Sequence, residues 1–518
     1  MKLFTYNPVS RYLLNQRNIL SMMAGIPGLG TVVATQESPT PQQYHFVISD
    51  DTARSVAETG TFVQVEIEDE LVLGVIQVLR RANRYFSSPD IIHGSSQGVS
   101  VPSVYPADRW DYLVAQVKVL GSFRDNLQKR STRPVLPGST VYMVDDHVLK
   151  RFLGLAKTGL EIGKVRQSEL PATIDIDRLL KKHLAILSIS GGGKSYATSV
   201  IMEELLRRDA SQGRPAIIIF DVHGEYRHMT SLTNHPEFGD IEVERVTADD
   251  LFMSVAYLTA GDFAKMFPAM SYAQRRELSA VLSDLKKKGQ GMTVETVIDA
   301  IYQREMNQLV KDALLGWINQ LKYSYLFGNA EYPSLQSDLV PGKLYIFDLS
   351  DYTSLWKKRI ILHYFLTRIF ELRRTRDIPP VISFIEEAHQ FAPEQETSTA
   401  KSIIHTIARE GRKFLCSLVL ISQRPVNLST TALSQCNSHL ILRILNPHDL
   451  NYIGKTSEGI NADTLGMLTS LGVGEALLVG EAVNYPVFIQ VRKKLVRADY
   501  DEASLATESR KYEQTSFA

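Results

Sequence analysis

The sequence predicts an α/β protein in which a parallel-sheet core follows a small β-barrel and is interrupted by a helical bundle. Before about residue 175, short runs rich in β-branched residues alternate with Pro-, Ser- and Gly-rich breaks, a spacing typical of a small barrel or sandwich. Farther along, apolar runs of the buried type alternate with helical patterns, which indicates parallel strands. Between about 249 and 335 the apolar residues follow only the helical period, which indicates an inserted bundle.

These patterns predict five consecutive parts of the chain. They are an N-terminal β-barrel (1–175), the first part of the α/β core (176–248), the helical-bundle insertion (249–335), the second part of the core (336–500) and a polar C-terminal arm (501–518). The arm is predicted from its polar and charged composition at a chain end.

The composition is that of a globular protein with a substantial core, and it excludes several classes of protein. Of 518 residues, 44% are hydrophobic, and 57 basic residues balance 57 acidic ones. A nucleic-acid site must therefore be a local patch, such as a channel wall, rather than a basic surface. Cys416 and Cys436 are too few for a disulfide framework or a Cys-based zinc site. No apolar run approaches the roughly 20 residues of a membrane helix, so we expect a soluble, cytoplasmic protein without a membrane partner.

The strongest local pattern is an apolar run from His183 that ends in small residues and continues as a helical pattern. Residues without bulky side chains let successive backbone N–H groups surround anionic oxygens, and the following helix N-terminus adds partial positive charge. Lys194 is then placed to reach the outer phosphates of a nucleotide, and Ser195 to ligate Mg²⁺ through its hydroxyl. The predicted phosphate-binding residues are Ser190, Gly191, Gly192, Gly193, Lys194, Ser195 and Tyr196. A glycine-rich turn before an ordinary helix is the alternative interpretation.

One position departs from the phosphate-loop pattern G-x-x-x-x-G-K-[ST]. Ser188 occupies the place of the first glycine. If the turn requires a positive φ at this position, serine costs about 1 kcal/mol relative to glycine. A penalty of that size is compatible with a working phosphate loop.

Two apolar strands of the predicted core end in carboxylates. Ala216–Phe220 is followed by Asp221, which is expected to belong to the nucleotide site, and Val381–Ile385 is followed by Glu386 and Glu387. Because side chains alternate along a strand, the adjacent acids have different directions and can have different tasks. We expect Glu386 to hold the Mg²⁺ shell, directly or through water, and Glu387 to activate the water that attacks the γ-phosphate. Alternatively, the paired acids merely end a strand and face water.

Two polar residues near the next strand are further candidates. Gln423 follows the apolar run Ser417–Ser422, where an amide can detect the γ-phosphate and the attacking water. Arg412 can supply the positive charge that phosphoryl transfer needs, in the site of a neighbouring subunit. Its alternative interpretation is a solvated arginine at a helix end. His389, close to the paired acids, is interpreted as structural rather than as a metal ligand.

Together, these motifs resemble the HerA family of hexameric DNA translocases, which are relatives of FtsK. Besides the phosphate loop, the matching segments are Asp221–Tyr226, Glu386–Pro393, Gly411–Phe414 and Ser422–Pro425. The resemblance spans most of the chain and implies a RecA-like P-loop ATPase core, preceded by a barrel similar to that of the family. Lys182 departs from the family pattern, in which an arginine is more usual just before the histidine.

The resemblance also implies a role for each site residue. Gln423 would sense the γ-phosphate, and Arg412 would be an arginine finger that acts in trans. The residues that would bind and hydrolyse ATP with Mg²⁺ are Lys194, Ser195, Glu386 and Glu387. The expected cofactors are therefore ATP and Mg²⁺.

The resemblance implies two alternative functions. The first is a homohexameric ring that threads double-stranded DNA through its central channel, as an ATP-dependent translocase or helicase. It would work with a nuclease on the N-terminal barrel face, NurA-like or a defence effector, in DNA end processing or antiviral defence. The alternative is a nucleotide-stabilised platform that assembles and activates an effector nuclease without extensive translocation. A conjugation-type pump is disfavoured because no membrane segment is predicted.

Overall fold

The structure is a computed structural model that describes most of the chain. The described residues are 28–34, 38–49, 51–68, 70–83, 111–124, 127–233, 235–289, 291–457, 460, 462–496 and 505–516. Residues 1–27 of the predicted barrel part, and 501–504 and 517–518 of the predicted arm, lie outside them. The chain forms two compact units, one within Met1–Leu155 and Val165–Leu170, the other within Ala156–Lys164 and Pro171–Ala518.

The first unit is built on an antiparallel sheet that closes on itself. Its strands are β1 (Gly28–Val33), β2 (Gln43–Ile48), β3 (Phe62–Ile67), β4 (Glu70–Asn83), β5 (Asp111–Arg124), β6 (Leu127–Lys129) and β7 (Thr140–Met143). The order β2-β1-β7-β3-β4-β5 is closed by pairing of β2 with β5, and β6 extends the sheet beside β5. Alternate side chains such as Phe46, Val63, Val65 and Val117 are fully buried inside the ring. The predicted N-terminal β-barrel is thus confirmed.

The second unit contains a large mixed sheet. Its strands are β8 (Leu160–Val165), β9 (Pro171–Ile174), β10 (Leu184–Leu187), β11 (Ala216–Asp221), β12 (Glu242–Val246), β13 (Lys343–Asp348), β14 (Val381–Ile385), β15 (Cys416–Ser422), β16 (Ser438–Ile441), β17 (Glu475–Gly480) and β18 (Val487–Val491). Their order is β12-β13-β11-β14-β15-β10-β16-β17-β18-β8-β9. The strands from β12 to β16 are parallel, as the apolar runs predict, and β17 and β18 continue the sheet in antiparallel pairs.

The chain passes from the barrel sheet to the large sheet before residue 175, the boundary expected from the sequence. Strands β8 and β9 belong to the large sheet rather than to the barrel. Both are short strands that mix exposed and buried positions, as the barrel strands do. An alternating pattern predicts a strand but carries no information on which sheet that strand joins.

Helices cover the sheet and fill the predicted insertion. The helices are Asp51–Val56, Asp146–Leu153, Ile176–Leu180, Lys194–Leu206, Ala260–Met266, Tyr272–Lys288, Val294–Gln303, Gln308–Lys322, Leu335–Asp338, Leu355–Thr375, Ala388–Phe391, Lys401–Phe414, Thr430–Leu433, Pro447–Thr456, Ala462–Leu468 and Leu505–Ser516. In the insertion, Thr259, Ser271 and Thr293 each begin a helix with a capping box that satisfies otherwise free N–H groups. Among the described residues, no helix is both long and apolar enough to cross a membrane.

One edge of the large sheet collects the ends of the strands that carry polar motifs. In the parallel registers Leu187 of β10 lies beside Ser422 of β15, and Phe220 of β11 lies beside Ile385 of β14. The residues that come directly after these strands therefore meet at the carboxyl edge of the sheet, where open α/β sheets bind their ligands.

Candidate active site

The loop after β10 has the conformation of an anion-binding turn. Gly191 and Gly193 have φ of +71° and +93°, which side chains disfavour, and helix Lys194–Leu206 begins directly afterwards. Ser188 is not among the residues of positive φ, and its buried hydroxyl donates to the Ile189 carbonyl at 3.0 Å. The penalty expected for serine therefore does not arise. Glycine is needed instead at Gly192, where a Cβ would lie 2.0 Å from the Ser188 hydroxyl.

Lys194 and Ser195 stand at the start of this helix and face acidic partners. Lys194 is only 8% exposed, and its Nζ lies 3.9 Å from Glu387 Oε1. The Ser195 hydroxyl donates to the carboxylate of Glu225, in the turn after β11. No rule of spacing singles out Glu225, although it belongs to the segment Asp221–Tyr226. Its contact with Ser195 makes it a second oxygen donor at the place where a metal is expected.

Asp221 organises the turn that carries Glu225. Its buried carboxylate accepts from the N–H groups of Gly224 at 2.7 Å, Glu225 at 3.1 Å and Tyr226 at 3.0 Å. Burial raises the pKa of Asp221. None of its hydrogen bonds within the described chain reaches the phosphate loop. Asp221 thus fixes the turn that carries Glu225, and its membership of the nucleotide site stays a prediction.

Glu386 also ties the end of β14 to the turn after β11. One carboxylate oxygen accepts from Val222 N at 2.7 Å and His223 N at 3.1 Å. Burial, reinforced by the charges of Asp221 and Glu225, raises the pKa of Glu386 well above its ordinary value. Three carboxyl groups thus crowd one corner of the site. A divalent cation there would relieve their mutual repulsion.

A basic residue outside the sequence motifs approaches this corner. Lys358, on helix Leu355–Thr375, donates to the Val222 carbonyl at 3.1 Å. Burial lowers the pKa of Lys358, while the charges of Glu386, Asp221 and Asp348 oppose that shift. No motif marks this lysine, because a largely buried helix far along the chain brings it to the site.

Glu387 combines burial, strain and an unsatisfied oxygen. It is 2% exposed and has φ +48°, in the left-handed region that non-glycine residues seldom adopt. Its Oε2 has no hydrogen-bond partner in the described structure. His389 Nδ1 lies 3.2 Å from that oxygen and 3.1 Å from Ser422 Oγ, and burial lowers the pKa of His389 to about 4, so the ring is neutral. Glu387 therefore keeps a hydrogen-bond acceptor that the described chain does not satisfy.

Gln423 lies next to Glu387, as its position after β15 predicts. It is half-buried. Burial raises the pKa of Glu387, and Lys194, His223 and a hydrogen bond from the Gln423 side chain oppose this rise. The structure thus brings Lys194, Glu387 and Gln423 together from three segments of the chain.

Arg412 is not part of this constellation within one chain. It is exposed in the last turn of helix Lys401–Phe414, just before β15 begins at Cys416. The phosphate loop lies instead beside Ser422 at the other end of β15. The strand has 7 residues, so its ends are about 20 Å apart. Among the described residues Arg412 makes no ion pair. Its guanidinium therefore cannot reach the phosphate loop of its own chain.

Lys182 lies at the same remote edge as Arg412. It precedes β10, and its Nζ pairs with Glu481 Oε1 at 2.7 Å. Asn437 donates to the other oxygen of Glu481 at 3.2 Å, and its N–H donates to the Lys182 carbonyl at 3.0 Å. The residue that departs from the family pattern is thus integrated into a local polar network.

A second glycine turn lies against the phosphate loop. A Cβ on Gly193 would lie 3.9 Å from Gly474 N, and Gly474 itself has φ +83°. The Gly474 carbonyl accepts from Val491 N at 2.8 Å, but its N–H makes no hydrogen bond in the part of the chain described. This leaves an additional backbone donor beside the anion-binding turn.

The residues at this edge fit a nucleotide with a divalent cation. Lys194 and the loop supply positive charge, while the Ser195 hydroxyl and Glu225 supply oxygen ligands. The described residues contain no group of three or more His, Cys, Asp or Glu side chains arranged to hold a metal. Mg²⁺ fits these residues, because it prefers oxygen ligands, keeps several waters and takes other ligands from phosphates. The unsatisfied oxygen of Glu387 is an acceptor that a water molecule can satisfy.

Comparisons with known proteins agree with this geometry. Residues 160–369 match the family described as "Helicase HerA, central domain". A probable helicase of Methanocaldococcus jannaschii is 27% identical over 487 residues, which cover 85% of this chain and 87% of that protein. A DNA double-strand break repair helicase HerA of Pyrococcus furiosus is 27% identical over 503 residues, covering 83% of this chain and 87% of that one.

A solved structure shares the fold. VirB4 of Thermoanaerobacter pseudethanolicus superposes with a TM-score of 0.52 at 16% identity, over 66% of this chain and 98% of that one. The predicted α/β class is thus confirmed.

Proposed function

We infer that this chain, whose residues 160–369 match the HerA central domain, is a P-loop ATPase that acts as a DNA translocase or helicase. The resemblance predicted from the motifs is confirmed by that match and by relatives similar over most of their length. Some of these relatives are described as DNA double-strand break repair helicases, which supports DNA as the substrate of this chain.

The residues at the carboxyl edge divide the work of ATP hydrolysis among them. The phosphate loop and Lys194 bind the phosphates, and Ser195 with Glu225 and Glu386 holds Mg²⁺. When bound, Mg²⁺ neutralises charge on the phosphate oxygens. Glu387 accepts the proton of the attacking water, because burial makes its carboxylate a stronger base than an exposed glutamate.

Gln423 completes this arrangement. Its amide lies close enough to Glu387 to lower the pKa of that carboxyl, which favours the charged form of the base. The same amide lies near the position of the γ-phosphate and can register its loss after hydrolysis.

The observation that carries the proposal of a ring is the separation of the two halves of the site. Lys194 and Glu387 lie at one edge of the sheet, whereas Arg412 is exposed at the other, about 20 Å away along β15. An arginine finger at this place can serve only the site of another subunit. We therefore propose a homohexamer in which each interface contains one complete ATPase site.

Double-stranded DNA is proposed to occupy the central channel of this ring. Equal numbers of acidic and basic residues are compatible with that function, since only the channel wall must attract phosphates. A nuclease, NurA-like or a defence effector, is the proposed partner on the barrel face, and this part rests on the family resemblance alone.

Displacement of a DNA triplex tests translocation directly. The wild-type chain, with ATP and Mg²⁺, should release a third strand from duplex DNA, and Lys194→Ala should not. Light scattering in the presence of ATP and DNA should give the mass of six chains. ATP hydrolysis without triplex displacement would favour the platform that recruits a nuclease, and a monomer under these conditions would exclude the ring.

A further inference from the structure

A buried carboxylate holds the segment after β18 against the phosphate-loop helix. Glu203, in helix Lys194–Leu206, is 0% exposed. Its carboxylate accepts from Arg492 Nη1 at 2.8 Å, Leu495 N at 2.9 Å and Val496 N at 3.3 Å. A buried charge persists only when it is paired and hydrogen-bonded in this way. The path of residues 492–496 along the helix is therefore fixed.

The adjacent acid strengthens the same attachment. Glu204 Oε1 accepts from Arg492 Nη2 at 2.8 Å, and Glu204 Oε2 accepts from Glu161 N at 2.8 Å. Two acids near the C-terminus of a helix oppose its dipole, so the guanidinium of Arg492 compensates an otherwise unfavourable arrangement. We call residues 492–496, held by Glu203 and Glu204, the C-terminal strap.

The strap brings Lys494 to the first turn of the phosphate-loop helix. Lys494 N donates to the Tyr196 hydroxyl at 2.8 Å, and Lys494 Nζ lies 5.4 Å from the centroid of the Tyr196 ring. Tyr196 directly follows Ser195, the predicted ligand of Mg²⁺. The ammonium of Lys494 thus lies beside the aromatic ring of the residue that directly follows Ser195.

The ammonium of Lys494 forms no ion pair with any of the described residues. Its Nζ lies 3.5 Å from His228 Nε2. Burial, together with the nearby charge of Lys494, lowers the pKa of His228 to about 4, so this ring is neutral. Burial also lowers the pKa of Lys494 itself, although the charge of Glu203 opposes that shift. The half-buried ammonium of Lys494 therefore lies beside a neutral ring and has no ion-pair partner among the described residues.

We propose that Lys494 is a nucleotide-binding residue whose ammonium contacts the α-phosphate. The proposal rests on nucleotide binding by the phosphate loop. In such a loop the backbone N–H groups enclose the inner phosphates, and the loop lysine, here Lys194, reaches the outer ones. The α-phosphate then lies past Ser195, along the helix turn that contains Tyr196. The strap supplies at that place the charge that the loop itself lacks.

The choice of phosphate leads to a specific expectation. A contact with the α-phosphate is made equally by ADP and ATP, whereas a contact with the γ-phosphate is made by ATP alone. Loss of Lys494 should therefore weaken the binding of both nucleotides by the same factor, about tenfold for one charge-assisted contact.

Isothermal titration with Mg²⁺-ADP and Mg²⁺-ATP tests this expectation. Binding should be measured in a Glu387→Gln background, which prevents turnover, with Lys494→Ala and Lys494→Met added. The methionine variant keeps the aliphatic stem on Tyr196, so it separates charge from packing. Lys493→Ala, at the exposed neighbouring position, is the matched control and should bind as the background does.

Each outcome is decisive. An equal loss of affinity for ADP and ATP in both Lys494 variants, with unchanged affinity in Lys493→Ala, supports the contact. A loss of affinity for ATP alone, or no loss of affinity, overturns the α-phosphate contact and leaves the ATPase proposal intact. Absence of nucleotide binding by the wild-type chain overturns both.

Discussion

Glu387 adopts a left-handed backbone conformation next to the loop lysine, and its Oε2 has no hydrogen-bond partner among the described residues. A strained, buried and unsatisfied carboxylate lowers stability, so it is kept where it serves a reaction. The neighbouring Glu386 satisfies two backbone N–H groups and is not free in the same way. Substitutions of these two adjacent acids are therefore expected to have different effects.

Glu387→Gln should bind ATP with near wild-type affinity but hydrolyse it at least ~100-fold more slowly, because the general base is lost. Steady-state ATPase assays and nucleotide titration measure the two effects separately. Glu386→Gln is the matched comparison and should mainly weaken Mg²⁺-dependent binding. If Glu386→Gln binds ATP normally and alone fails to hydrolyse it, the two roles are reversed.

The pKa of Glu386 predicts an effect on stability with a definite sign. Burial raises that pKa well above the ordinary value of 4.5, so the folded chain binds this proton more tightly than the unfolded chain. The group therefore favours folding at low pH, and this contribution is lost as pH rises through the raised pKa. Glu386→Gln, which stays neutral, should raise the thermal midpoint of the nucleotide-free chain at neutral pH.

The gain in thermal midpoint should shrink as the pH is lowered toward and below 4.5, because the wild-type carboxyl then becomes protonated in the unfolded chain too. Thermal melts across this pH range measure it. Glu305→Gln, at an exposed position, is the control and should show no such gain. A gain in Glu386→Gln that does not depend on pH would contradict the electrostatic explanation.

Residues in a contiguous motif were predictable, and residues brought from elsewhere were not. Lys194 and Ser195 follow from the phosphate-loop pattern, and the structure places Glu387 beside Lys194 as expected. Glu225 belongs to the motif segment Asp221–Tyr226 but was not singled out, because only its tertiary contact with Ser195 reveals its place in the site. Lys494 was missed because its segment has no chemical signature of its own. Spacing along the chain predicts what a turn can bind, but not which distant segment covers it.

At the scale of elements, the turn before β17 contributes to the shape of the phosphate loop. Gly474 has φ +83°, and a Cβ there would lie 3.0 Å from Gln490 Nε2. Gly474→Ala should destabilise the chain by about 1 kcal/mol, the cost of a left-handed conformation for alanine. It should also weaken nucleotide binding, because the N–H of this residue lies beside Gly193.

Gly472→Ala is the natural control for that change. Gly472 has no positive φ, and a Cβ there meets only ordinary contacts with Glu475, at 3.5 Å and beyond. Thermal melts and nucleotide titration of both variants should separate them. Wild-type nucleotide affinity in Gly474→Ala would show that the second glycine turn is not part of the site.

Strands and helices were predictable to the extent that burial follows the apolar pattern. The apolar run Val381–Ile385 is a strand with the expected bounds. The helical period expected for the insertion appears as one buried helix face, formed by Leu278, Val281, Leu282 and Leu285. Membership of a sheet was not predictable for β8 and β9, since hydrogen-bond partners depend on the whole fold. The position of Arg412 relative to the phosphate loop likewise needed the sheet register.

At the scale of the whole molecule, the remote position of Arg412 predicts that activity depends on neighbouring subunits. Arg412→Ala should bind ATP normally yet lose ~10³-fold or more in turnover, the usual contribution of an arginine finger. Lys413→Ala, exposed in the same helix turn, should retain turnover. Titration and steady-state ATPase assays measure both variants.

Mixed rings give the sharper measurement. Glu387→Gln subunits keep the finger, and Arg412→Ala subunits keep the base, so some mixed interfaces join two intact halves and should recover activity. Subunit exchange must be verified by mass. Persistent inactivity in verified mixed rings means either that Arg412 is not the finger or that all sites must fire in order. A dilution series with wild-type subunits distinguishes these two explanations.

The C-terminal strap has a practical consequence for shortening the protein. A chain that stops at Val491 loses Arg492 and leaves the buried Glu203 without its counter-charge, which costs about 3–5 kcal/mol for a broken buried pair. Glu204 also loses Arg492 but keeps its pair with Arg207. A chain that stops after Val496 keeps every contact of the strap and removes only the residues beyond it. Deletion studies of the terminal helix, and the attachment of a purification tag or fluorophore at this end, should therefore leave residues up to Val496 intact.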